Sequence, residues 1–233
     1  MTMFSSLWFS APIITGSNTA NATSSSSAAV HTFSGESLGA ADPSRIIAVG
    51  VGAGDNTQNR TITSVTVGGA ALTQRIAANN STPTGPVENF EAEIWSGAIP
   101  SGTTADIVVT MSGIIGASRG VGISVHRMVG PVVAAPSATA SDSDTTGSTD
   151  PLTVSVNTED GGYVVCCGLA FKVAPNVATW SGVTELTDSL TGNLAQTAAN
   201  YSPTSNESPR AITVNFTNTS NVKLAVSASW FPV

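Results

Sequence analysis

From residue 28 onward, apolar positions alternate with polar ones or run continuously over strand-length stretches, each closed by turn residues. This pattern predicts strands at 28–33, 45–51, 61–67, 71–77, 90–95, 106–111, 120–128, 152–156, 162–171, 177–180, 193–201, 211–216 and 222–231. Breakers separate them, among them Asp42-Pro43, Gly68-Gly69, Ile99-Pro100-Ser101-Gly102, Asp160-Gly161-Gly162 and Ser208-Pro209. No long amphipathic helical period occurs. Ile46–Val51 and Val164–Leu169 are apolar on both faces and suit central strands, whereas Thr213–Thr217 alternates and suits a strand with one wet face.

Two stretches of this pattern resemble each other. Arg45–Gly50, Val65–Thr73 and Gly122–His126 follow the same course as Gly162–Cys167, Ala178–Thr187 and Leu224–Ala228. Closely spaced short strands predict an all-β fold, an antiparallel, jelly-roll-like sandwich. Tandem domains are the alternative, with a boundary in Val129–Asp150. Each half alone would leave a small sheet with an unburied face. The expectation is therefore a single sandwich over residues 28–233, built from both halves.

Ahead of it, Phe4, Leu7, Trp8, Phe9, Ile13 and Ile14 precede a Ser/Thr/Asn-rich stretch, Thr15–Ser27, with no hydrophobic period. Residues 1–27 read as an apolar docking arm on a polar tether. The other reading is a first strand packed on its own domain.

Charge changes the picture of possible partners. Charged residues are 10% of the chain against about 25% in a typical domain. The surface must therefore be largely Ser, Thr, Asn, Gln and Gly, or be hidden in an assembly. Net charge is -7, and the cations are scattered, which argues against nucleic acid and against polybasic membrane attachment. No apolar run approaches the ~20 residues of a spanning helix. Met1–Ser10 lacks the basic start of a signal peptide, so synthesis and retention in a cytoplasm are expected.

Candidate chemistry is sparse. Gly50-Val51-Gly52-Ala53-Gly54-Asp55 looks superficially like a dinucleotide loop, but a strand and not a helix follows, and a flexible hairpin loop is expected. Cys166 and Cys167 sit in an apolar run and read as buried thiols, not as a disulfide. Asp142, Asp144 and Asp150 have a calcium-like spacing without an EF-hand pattern, and read as a solvated loop. His31 and His126 stand alone, and no metal or cofactor is expected. Glu91 and Glu93, with Glu88 nearby, share one face of a strand. They offer a glycosidase-like carboxylate pair, or simply a strand's wet face, which is the expectation.

At His31–Gly39, Ile62–Thr73 and Ile94–Thr103 the chain resembles the all-β virion proteins of tailed bacteriophages, prophages and gene-transfer-agent-like particles. That resemblance covers residues 28–233 and rests on turns and strand ends, with no catalytic residue among them. It implies a non-enzymatic virion structural protein made in a bacterial cytoplasm. The short arm ahead of the sandwich suits a capsid decoration or cement protein. Its partners would be the major capsid protein or other virion subunits, and it would be a homo-oligomer, a trimer for example. The alternative is a tail- or fibre-associated module binding a receptor or glycan, with Trp95, Trp180 or Tyr201 stacking on sugar. An enzyme resting on Glu91 and Glu93 is the third reading.

Overall fold

The computed structural model describes residues 11–55, 58–81, 89–116, 119–146, 151–171, 177–191, 194–217 and 222–233. Among these residues every regular element is a strand. The N-terminal half holds β1 (Thr15–Ser24), β2 (Val30–Ser37), β3 (Ile46–Asp55), β4 (Ile62–Val67), β5 (Ala70–Ala71), β6 (Thr73–Ser81), β7 (Asn89–Ala98), β8 (Thr104–Met111) and β9 (Val121–Val129). The C-terminal half holds β10 (Ala138–Asp144), β11 (Leu152–Thr158), β12 (Tyr163–Phe171), β13 (Ala178–Ser181), β14 (Thr184–Thr191), β15 (Leu194–Tyr201), β16 (Glu207–Phe216) and β17 (Lys223–Trp230).

The all-β, antiparallel, sandwich-like class expected from the pattern is what forms, and each half has jelly-roll topology. The N-terminal half closes an inner sheet, β1-β9-β3-β7-β6, against an outer sheet, β2-β8-β4-β5. The C-terminal half repeats this order, with inner sheet β10-β17-β12-β15-β14 and outer sheet β11-β16-β13. Most connections cross from one sheet to the other, as in a jelly roll. The two inner sheets then stack face to face. The result is four layers and three cores, rather than one sheet pair shared by both halves as expected.

The sequence repeat maps onto this duplication in register. Counting from the first paired residues, Ile46↔Met128 and Tyr163↔Trp230, Gly50 corresponds to Cys167 and Gly122 to Leu224. Contacts across the middle are reciprocal: β6 touches β10 and β17, while β14 touches β1 and β9. This is the isologous pattern of an approximate two-fold axis.

Burial explains the strand compositions. β3 lies between two cores, so every residue in it is buried. Ile47, Val49 and Val51 face the N-terminal core, and Ile46 and Ala48 face the middle one. β12 does the same: Val164 and Cys166 face the C-terminal core, Tyr163, Val165, Cys167 and Leu169 the middle. β11 borders a single core and alternates without exception.

Glycine makes the middle layer close. A Cβ on Gly52 would lie 2.6 Å from Leu169 Cδ1, and one on Gly122 would collide with Gln196. The glycine run read as a flexible hairpin loop is therefore the buried half of a central strand. Its missing side chains let the inner sheets approach.

Residues 15–24, read as part of a polar tether, form β1, an edge strand paired with β9 from Thr15↔Val129 to Ser24↔Val121. Their spacing is strand-like, but their exposed face carries Ser, Thr and Asn, so no hydrophobic period announces them.

All strands run between two ends of the block. The proximal end carries Ala11–Ile14, the loops at 38–45, 99–103, 159–162 and 202–206, and Phe231–Val233. Arg45, fully buried, organises it. Its Nε donates to Ile99 O at 2.6 Å and its Nη2 to Ser101 O at 2.6 Å, while Nη1 reaches the carbonyls of Leu38, Gly39 and Ala40. Arg45→Ala would orphan carbonyls of two loops and is expected to lower stability by on the order of 3 kcal/mol. Arg45→Lys should recover little of it, because an ammonium cannot span the same fork. Urea midpoints of the two variants provide the check.

Candidate functional site

The sequence singled out the arm, a carboxylate pair, two histidines, two cysteines, an Asp-rich loop and three aromatic residues. Of the arm, Phe4, Leu7, Trp8 and Phe9 lie outside the described residues. Ile14 is 2% exposed and belongs to the middle core, and its N–H donates to Gly161 O at 2.7 Å. Ile14 is thus part of the protein's own packing and is not free to dock elsewhere. Ile13, next to it, is 60% exposed.

Around Ile13 the proximal end gathers features the sequence did not flag. Val133 and Val233 are also large exposed apolar residues. They sit on segments joined by the Val233 N–Pro131 O hydrogen bond of 2.9 Å, beside Gly130, whose Cα faces Ile13 O. A cavity of about 600 Å³ opens alongside, lined by Ala11, Pro12, Glu159, Asp160, Thr204, Ser205, Asn206 and Pro232. These residues come from four segments far apart in sequence, which is why no local pattern pointed to them. Chemically the surface offers prolines and aliphatic side chains edged by two carboxylates and several hydroxyl and amide groups.

Glu91 and Glu93 are corrected by the structure. They do not face water: each is at most 3% exposed, on the face of β7 turned toward the outer sheet. Glu91 Oε2 accepts from Ile62 N at 2.6 Å, and Asn89 Nδ2 donates to its other oxygen at 3.4 Å. Glu93 accepts from Trp95 Nε1 at 2.6 Å and Gln74 Nε2 at 2.8 Å. Burial raises the pKa of both carboxyls, and the neighbouring Glu91 charge helps to push Glu93 up to about 7. Such a pair binds backbone and indole donors; a sugar cannot lie between two carboxyls sealed within the sandwich. Glu88 lies outside the described residues.

The histidines occupy separate places. His31 Nδ1 lies 3.0 Å from Ser24 Oγ and its Nε2 3.2 Å from Ala28 O, which ties the turn between β1 and β2. Burial lowers its pKa. His126 is fully buried between the inner sheets, with Nδ1 3.3 Å from Tyr163 Oη, and Asn200 Nδ2 donates to that oxygen at 2.8 Å. Desolvation drives the His126 pKa down to about 3, so the ring is neutral at physiological pH.

Cys166 and Cys167 are both buried and unbonded, one in the C-terminal core and one in the middle core. Burial raises both thiol pKa values, Cys167 to about 12, so neither is a thiolate near neutrality.

In the Asp-rich loop, Asp142 belongs to β10 and accepts from Thr153 N at 2.7 Å; Asp144 pairs with Lys223 Nζ at 3.1 Å. Asp150 lies outside the described residues. Among the described residues no group of three or more His, Cys, Asp or Glu side chains is placed to hold a metal ion.

The aromatic platforms proposed for sugar are mostly closed. Trp95 and Trp180 are each 7% exposed. Trp180 Nε1 donates to Thr197 Oγ1 at 2.7 Å. Tyr201 is half-buried against the C-terminal core, and the Arg210 guanidinium covers its ring 3.8 Å from the centroid.

No family model matches the chain, and no curated protein matches it. Among solved structures it is weakly similar to the C-terminal domain of the Streptococcus agalactiae AgI/II polypeptide BspA. The identity is 10% over 80% of this chain and 76% of that one, with a TM-score of 0.20. At that score the likeness carries no argument about fold or function.

Proposed function

We propose that this chain is a non-enzymatic structural protein of a bacteriophage-type virion, a decoration protein mounted on the capsid shell by its proximal end. One observation carries the reading. The four-layer block carries exposed Ile13, Val133 and Val233 and the 600 Å³ cavity at the end where both described chain ends lie. Scattered exposed apolar residues are ordinary, but a grouped set beside a cavity marks an interaction surface. The long faces of the outer sheets suit an exterior position. The C-terminal one presents Thr153, Ser155, Asn157, Thr179 and Asn215 to solvent, a hydroxyl- and amide-rich surface of low charge. The partner in this reading is the major capsid protein or another shell subunit. Burial of Trp95 and Trp180 weighs against the glycan-binding alternative.

Quantitative mass spectrometry of purified particles tests the reading through copy number relative to the major capsid protein. Hundreds of copies per particle are expected. A few copies would indicate a tail or vertex component, and absence from the particle would end the virion reading.

A further inference from the structure

The two outer sheets share a topology but finish one edge differently. In the N-terminal half, β4 has β8 on one side and the chain's own β5 on the other, paired Thr66↔Ala71 and Val67↔Ala70. Its C-terminal counterpart, β13, has β16 on one side and, among the described residues, no strand on the other. Side chains meet its outward amides instead. Ala178 N donates to Asp188 Oδ2 at 2.9 Å, and Trp180 N donates to Glu185 Oε2 at 3.2 Å. Both carboxylates come from β14. Residues three apart on a regular strand point to opposite faces, but the register of β14 shifts between Glu185 and Thr187. That bulge brings both side chains to the same edge.

We propose that Glu185 and Asp188 are guards that keep the β13 edge closed to a second copy of this chain. An uncovered edge is a template for strand pairing. Antiparallel pairing of β13 with its own copy about a two-fold axis is self-complementary, so a second copy is the occupant that fits. The carboxylates oppose it twice. They occupy the amides as charge-assisted acceptors, and in a pair of edges four like charges would converge. At the far edge of the same sheet Asp142 does the same for Thr153 N, at 2.7 Å. Association is thereby steered away from the sheet edges. This inference goes beyond the virion reading and does not depend on it.

The test is sedimentation velocity of the full chain carrying Glu185→Ala and Asp188→Ala, beside the wild type, over about a hundredfold range of concentration. The double variant is expected to form, with rising concentration, a species of twice the wild-type mass. Adding Ala178→Pro, which deletes one edge donor and places a ring on the edge, should restore the wild-type distribution. A double variant that sediments like the wild type throughout, or a doubling that Ala178→Pro leaves intact, overturns the proposal. If the double variant fails to fold, hydrogen exchange decides. The Ala178 and Trp180 amides should exchange at least tenfold more slowly in the wild type than in the single variants Asp188→Ala and Glu185→Ala. Equal rates overturn the proposal.

Discussion

Between about pH 4.5 and 6.5 the stability of the wild-type protein should change little, because two buried groups push in opposite directions. His126 titrates near 6.5 when unfolded and near 3 when folded. Across that window the unfolded chain binds the extra proton, so His126 makes stability rise with pH. Glu93 titrates near 4.5 unfolded and near 7 folded. From 4.5 to 7 the folded chain binds the extra proton, so Glu93 makes stability fall with pH. Each slope is about 1.4 kcal/mol per pH unit, and they cancel where the windows overlap. His31 acts in the sense of His126 and Glu91 in the sense of Glu93.

Single substitutions should unmask each slope. His126→Phe leaves Glu93 unopposed, and stability should fall by roughly 3 kcal/mol between pH 4.5 and 7. Glu93→Gln keeps the hydrogen-bonding shape toward Gln74 and Trp95, and stability should rise by roughly 3 kcal/mol between pH 4.5 and 6.5. Urea unfolding at fixed pH measures both. Parallel profiles for the two variants and the wild type would remove this account of the buried pair of groups.

Gly52→Val is expected to be among the most damaging single changes in the chain. The new side chain would begin 2.6 Å from Leu169 Cδ1 and 3.2 Å from Gln196, in a central strand with sheets on both sides. Overpacking of this kind costs about 1–3 kcal/mol where neighbours can give way, and more where they cannot. Here the neighbours are the buried Leu169 and Gln196 side chains of the facing inner sheet, so relief requires them to find new rotamers in a packed layer. The strain is specific: Leu169→Ala in the Gly52→Val background should recover much of the loss, although Leu169→Ala alone leaves a cavity and destabilises. A thermodynamic cycle of the four proteins should therefore show a coupling well above the few tenths expected of independent sites. Additive effects would mean that the inner sheets do not meet at Gly52.

The same close approach explains what was legible in the sequence. Thirteen predicted strands correspond to real ones because each has an apolar run facing a core. The repeat of Arg45–Gly50 with Gly162–Cys167 proved to be two central strands in matching register. The predicted strand at 71–77 merges β5 with β6, and the other strands that escaped, β1, β10 and β14, are edge strands of the inner sheets, with sequences TGSNTANATS, ATASDSD and TELTDSLT. With one side open and faces half-exposed, an edge strand needs few apolar residues, so its periodicity is faint. Missing them left each half too small to close a sandwich, and a single shared sandwich became the better reading.

Side-chain placement was less legible than strands. Glu91 and Glu93 look like solvent-facing residues because charged side chains seldom enter a core without partners. What the sequence conceals is that Ile62 N from β4 and Gln74 Nε2 from β6 converge on them, beside Trp95 Nε1 from the same strand. The glycines of β3 look like a loop because their function is to leave space for residues more than a hundred positions away. The proximal surface was invisible for the same reason: Ile13, Val133 and Val233 lie on three segments that only the folded chain brings to one end.

A cryo-EM reconstruction of the intact particle tests the central claim most directly. A four-layer β-block is expected on the outside of the shell, with the Ala11 and Val233 end against the capsid subunits and the opposite end, where Asp55 pairs with Asn89 and Phe171 with Leu194, pointing outward. A block attached by the opposite end, or by the face of an outer sheet, would contradict it.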